Sequence, residues 1–284
     1  MTVLLGSLAA ILFGIGDVVA GVGGRRDGSP DAPTAIALVA TVVGVVLSGG
    51  YLLFFSDDAL SGSDLWWAAA AGVVMSAARP LLYRGMTIGP IIVFAPVVAL
   101  VALVVPAALA PLVGQDLSLL EIIGVAVAIP AVVLVSGDQR LPTVAELRGS
   151  SVVGLGALVG LCIGVGGLFL SFVSEDAGAA PALALTLLGL VVVPLVAKVL
   201  RQSVRPSATT IRFGTIVGCT SITAFILSAL TFQRSNAAIG SALIGFAPGV
   251  SIVIAWKFLG EKIFRMQALG GLLGGLAILL FALA

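Results

Sequence analysis

The sequence predicts an all-α polytopic membrane protein of ten transmembrane helices arranged as two inverted five-helix repeats. Three observations predict it: apolar runs of helix length, basic residues sorted to one side, and a chain that resembles itself at half its length. Of 284 residues, 60% are hydrophobic and 10% charged, and the mean hydropathy is +1.25. A soluble domain carries about 25% charged residues, so this chain has too few to face water over its whole surface. Crossing a bilayer takes about 20 apolar residues per helix. Ten such runs occur, at roughly 2–22, 33–55, 65–84, 87–112, 118–136, 151–173, 181–199, 211–232, 236–257 and 263–283. They are continuous and helix-long, which excludes a β-barrel, whose strands are short and alternate. The connections are too short for a folded soluble domain. The division expected is a first half at 1–137, a connecting loop at 138–150 and a second half at 151–284.

Each span has its own mark. The first is Gly-rich, carries Asp17, and lacks the basic leader of a signal peptide, so it reads as a span. The second closes on Tyr51, Phe54 and Phe55, and the third opens on Trp66 and Trp67, as an interfacial aromatic belt would. The third also holds Arg79, Pro80 and Tyr83. Prolines interrupt the fourth (Pro96, Pro106), fifth (Pro130), seventh (Pro194) and ninth (Pro248). Small-residue packing marks the sixth, with Gly156, Gly160 and Gly164. The eighth carries Cys219, Thr220, Ser221 and Thr223 without a charge, and Asn236 stands where it would cap the ninth. The tenth has the doubled strip Gly270, Gly271, Gly274 and Gly275, a possible homodimer face or a contact within the chain.

Number the connections along the chain and the charges separate. The odd connections and their flanks hold Arg25, Arg26, Arg84, Arg140, Arg148, Lys198, Arg201, Arg205, Arg212, Lys257, Lys262 and Arg265. The even side, which includes both termini, holds only Arg234, beside Asp57, Asp58, Asp64, Asp116, Glu121, Glu175 and Asp176. Basic loops stay in the cytoplasm. The charge bias therefore places both termini outside, in a multi-pass protein of the cell (cytoplasmic) membrane.

The halves match in three places. Gly6, Gly14 and Gly16 recur as Gly156, Gly164 and Gly166. Ile88-Gly89 with Phe94-Ala95-Pro96 recurs as Ile239-Gly240 with Phe246-Ala247-Pro248. Gly114-Gln115 through Gly124 recurs as Gly260-Glu261 through Gly270. An odd number of spans per repeat turns the second half upside down, the plan of secondary transporters with a site near the midplane.

On these residues the chain resembles the drug/metabolite transporter superfamily, each half being similar to an EamA-type domain. The matching stretches are Leu81 to Ser136, with Tyr-Arg-Gly, Ala-Pro-Val and Gly-Gln elements, and Phe232 to Ala284, with Ala-Pro-Gly and Gly-Glu elements. Gln115 stands where the family often has an acid, whereas Glu261 fits. The resemblance implies export of amino acids or related metabolites, and cytoplasmic termini, opposite to the charge bias.

Candidate site residues are few. Asp17 lies within the first span, where a carboxylate costs about 2.5–3.5 kcal/mol to insert; it is read as a proton or cation site. Arg79, at similar depth in a parallel span, is read as its ion-pair partner and as a contact for an anionic group, the alternative being a static pair or snorkelling. Tyr83 shares the Arg79 face and is an interfacial anchor or a substrate contact. Thr220 and Thr223 line a cavity or bond back to their own helix. Pro96 and Pro248, taken as equivalent, free carbonyls toward a cavity or simply kink their helices.

Histidine is absent and both cysteines, Cys162 and Cys219, lie in apolar runs, so no metal site, disulfide or His-based catalysis is expected. A net charge of +1 gives no reason to expect nucleic acid. No Gly-rich run is followed by Lys-Ser or Lys-Thr, so no nucleotide or other cofactor is expected. The expected function is a secondary transporter, not an enzyme, with a small-molecule solute and the lipid bilayer as its partners. The alternative is a non-transporting scaffold or regulatory subunit joined through the tenth span.

Overall fold

The computed structural model describes residues 2–55, 61–109, 118–136, 150–233 and 246–284. Within them the chain is helical, with no strand. Ten α-helices follow one another: α1 (Thr2–Asp27), α2 (Ala32–Phe55), α3 (Gly62–Ile88), α4 (Ile91–Leu109), α5 (Leu119–Val135), α6 (Ser151–Leu170), α7 (Ala180–Val199), α8 (Ala208–Gln233), α9 (Ala247–Phe258) and α10 (Arg265–Ala282). Eight are long and apolar enough to cross a membrane; α5 and α9 are apolar but shorter. The Gly114-Gln115 and Ile239-Gly240 elements, the connection at 138–149, and Asp57, Asp58, Asp116, Arg140, Arg148, Arg234 and Asn236 lie outside the described residues.

Helix ends follow local chemistry. α1 runs five residues beyond its apolar stretch because Arg25 and Arg26 in its last turn complement the carbonyl end of the helix dipole. It stops where Gly28 adopts φ +73°, a left-handed conformation that glycine reaches without strain. Ser61 and Asp64 form a capping box at the start of α3, as Ser118 and Glu121 do at α5. Asp64 does more, accepting from the Ser174 backbone N–H and hydroxyl, both at 2.9 Å. That bond holds the start of α3 to the α6–α7 connection. Trp67 closes the same corner, 4.6 Å from the Phe172 ring, whereas Trp66, Phe54 and Phe55 stay exposed as belt residues would.

Glycine lets the helices approach. α8 packs against α1 and α2, and α3 packs against α6 and α7. α4 lies on α6, α9 on α1, and α5 on α10. A methyl group at Gly160 would sit 2.6 Å from the Val98 carbonyl oxygen, and one at Gly218 2.8 Å from that of Ala40. The α10 strip divides in two. Gly270 packs on Ala131 and Val135 of α5 and Gly274 on Leu100, while Gly271 and Gly275 face open space.

Candidate functional site

Between α1, α2, α3, α7 and α8 lies a cavity of about 80 Å³, walled by Phe13, Ala40, Gly44, Arg79, Tyr83, Thr186, Ser221, Ile222 and Phe225 among others. Gly44 and Gly218 in its wall let α7 and α8 pack closely on α2, since a methyl group at either would strike Thr186 or the Ala40 carbonyl. At roughly 1.5 Å per residue, Arg79 stands about 13 Å and Tyr83 about 8 Å from the odd end of α3. On α7 the wall is formed by the first two turns. The cavity thus extends from Tyr83, near the odd end of α3, to mid-depth.

Arg79 is aimed by α2. Its Nη1 donates to the Thr41 hydroxyl at 2.9 Å, and that hydroxyl donates in turn to the Ala37 carbonyl at 2.8 Å. Thr41 is fully buried, so its rotamer is fixed. The guanidinium is partly exposed, and Thr41 is the one hydrogen-bond partner it has among the described residues. A seam of hydroxyls continues from there between α2, α3 and α7. Ser76 donates to the Leu185 carbonyl at 3.2 Å, and Ser48 and Thr186 meet at 3.3 Å.

Asp17 lies one turn beyond Phe13 on α1 and is partly exposed. No hydrogen bond or ion pair reaches its carboxylate among the described residues. The one salt bridge there joins Arg25 to Glu261, so the expected Asp17–Arg79 ion pair does not form. The reason is local: Arg79 is held toward Thr41, and Tyr83 lies where the charges of both Asp17 and Arg79 act on its hydroxyl. That hydroxyl also interacts with Ser221. Tyr83 is 3% exposed, which corrects the interfacial-anchor reading.

The hydroxyls of α8 divide by face. Ser221 lines the cavity. Thr220 packs against Gly16 and donates back to the Ile216 and Val217 carbonyls, and Thr223 is exposed outside the cavity wall. Pro96 is buried in the second turn of α4, whereas Pro248 begins α9. Neither lines the cavity. Gly164 meets Ala102 and Val105 of α4, and Gly14 meets Ala247 and Val250 of α9. This register agrees with the spacing of Gly114 and Gly260 and differs by about two turns from that of the two prolines.

No family model and no curated protein matches the chain. It is similar to a solved crystal structure, described only as that of a protein, over 98% of this chain and 96% of the other, with a TM-score of 0.58 and 17% identity. At that identity the likeness concerns the fold alone.

Proposed function

We propose that this chain is a secondary transporter that exports a small polar solute across the cytoplasmic membrane by alternating access. One observation carries the reading: a cavity at membrane depth lined by Arg79 and Tyr83, with Asp17 beside it and no ion pair between the two charges. A static fold gains nothing from two unpaired charges that each cost kilocalories to insert. A solute with an anionic group for Arg79 and a cationic group or exchangeable proton for Asp17 gives them a purpose. Phe13 and Phe225 would cover its apolar part. That chemistry fits an amino acid or related zwitterion, in keeping with the EamA resemblance.

The packing supports two inverted five-helix halves. Such halves would repeat contacts with α1 exchanged for α6, α2 for α7, and so on; the most extensive contacts do so, whereas α1–α3, α1–α2 and α4–α5 have no counterpart of like extent. The α1–α8 contact has its counterpart in α6–α3, α2–α8 in α7–α3, and α4–α6 in α9–α1; α2–α7 and α5–α10 are their own counterparts. In this reading the matched prolines are not equivalent, and the Gly14 and Gly164 contacts set the alignment of α4 with α9.

The test is a thermal-shift screen of detergent-purified protein with amino acids, sugars, nucleosides and organic cations, each at two pH values. Asp17→Asn and Arg79→Ala are run alongside. Solute classes that stabilise the native chain but neither variant, and that exchange across proteoliposomes, are the expected result. Equal stabilisation of all three proteins moves the site elsewhere. Absence of binding and exchange leaves the scaffold reading, for which the outward-facing Gly271 and Gly275 speak.

A further inference from the structure

We infer that Arg25 and Glu261 form a releasable clamp that closes the odd end of the cavity. This rests on the transporter reading and assigns the clamp a part in it. Arg25, in the last turn of α1, donates from Nε to the Thr87 carbonyl (3.1 Å) and from Nη2 to those of Met86 (3.1 Å) and Gly89 (2.8 Å). It thereby caps the end of α3, whose last carbonyls have no partner within the helix. The same Nη2 meets Glu261 Oε1 at 3.4 Å. Glu261 comes from the connection before α10, and its other oxygen accepts from the Ile92 N–H at the start of α4 (3.0 Å). The carboxylate therefore sits at the positive end of a helix dipole.

Two side chains thus pin both sides of the Gly89-Pro90 break between α3 and α4, one from each half of the sequence. Beneath them the passage is filled. A methyl group at Gly21 would lie 2.5 Å from the Met86 carbonyl oxygen, and one at Gly24 2.1 Å from the Thr87 hydroxyl. The pinned helix is the one that carries Arg79 and Tyr83. Opening toward the odd side must move the end of α3 away from α1, and that movement breaks the Arg25 bonds. The pair is suited to breaking: its side chains are 35% and 15% exposed, so water can replace each lost partner.

The experiment uses the full chain in sealed vesicles of known orientation, with Cys162→Ser, Cys219→Ser and a reporter Ser221→Cys. An impermeant maleimide is applied from either side. Glu261→Gln, which keeps the shape and an acceptor for Ile92, should raise odd-side labelling about threefold to fivefold, the bias that one partly exposed ion pair can exert on a two-state equilibrium. Arg25→Ala should raise it further, and even-side labelling should fall in both. Labelling from both sides at rates neither variant changes would overturn the clamp and leave alternating access standing. Labelling from one side only, in every variant, would overturn both. A second measurement is independent of the reporter: spin labels on Arg84→Cys and Lys262→Cys should show a longer distance population in Glu261→Gln, and an unchanged distribution would also overturn the clamp.

Discussion

At the scale of single residues, Thr41 decides where the cavity's one cation points. Its hydroxyl is fully committed, donating to Ala37 and accepting from Arg79. Thr41→Val keeps the volume and removes the acceptor, so the guanidinium is released. A hydrogen bond to a charged group contributes about 1.5–3 kcal/mol. Affinity for an anionic solute should fall on the order of tenfold or more, with Thr41→Ser restoring it; titration calorimetry on the two variants checks this. Asp17→Asn should weaken binding of solutes that carry a cation or proton and leave purely anionic ones nearly unchanged, which the same titrations read. Asp17 and Arg79 were legible in the sequence because a charge inside an apolar run is conspicuous. Ser221 was not separable from Thr220, because adjacent residues on a helix point about 100° apart and the pattern does not say which faces the cavity. The burial of Tyr83 was not legible for a related reason: it stands one residue from the end of the expected span 65–84, where an interfacial anchor fits, but α3 runs on to Ile88 and α1, α2 and α8 close over it.

Among elements, the contacts that decide the packing are those where a backbone meets a glycine. α6 lies on α4 through Gly156, Gly160 and Gly164, spaced one turn apart. Alanine at 160 would press on the Val98 carbonyl, which cannot rotate aside, whereas alanine at 271 has nothing within 4 Å. Exchange of Gly for Ala favours an isolated helix by up to about 1 kcal/mol, and overpacking costs about 1–3 kcal/mol. Gly160→Ala should therefore lower the melting temperature in detergent, and Gly271→Ala should hold or raise it. A drop at 271 would mean that this face is covered by a second copy or another helix. Helix number and order were legible in the apolar runs, while their ends were not. α1 and α3 both run past their apolar stretches, α1 through arginines favoured by the dipole and α3 through residues capped by Arg25. Only a neighbour 62 residues away in sequence explains that second end.

For the whole molecule, orientation settles which compartment the clamp controls. Twelve basic residues on the odd side against one on the even side predict, by the positive-inside rule acting through short loops, that the odd side faces the cytoplasm. The EamA resemblance implies the reverse. In a background without Cys162 and Cys219, Ala284→Cys on the even side and Arg205→Cys on the odd side are both exposed positions. Impermeant maleimide on intact cells should label Ala284→Cys at once and Arg205→Cys only after lysis. The opposite pattern would show that the family habit wins over the charge count. With the predicted outcome, the Arg25–Glu261 contact closes the cytoplasmic end in this conformation, so an exported solute would enter only after that contact parts. The inward-opening state would then have to part α1 from the end of α3. The cost of that step is set by a few partly exposed hydrogen bonds and by the close Gly21 and Gly24 contacts beneath them. A basic surface around the same mouth would also raise the local concentration of anionic solutes awaiting that opening, and flux should then fall with rising salt on the cytoplasmic side and not on the other.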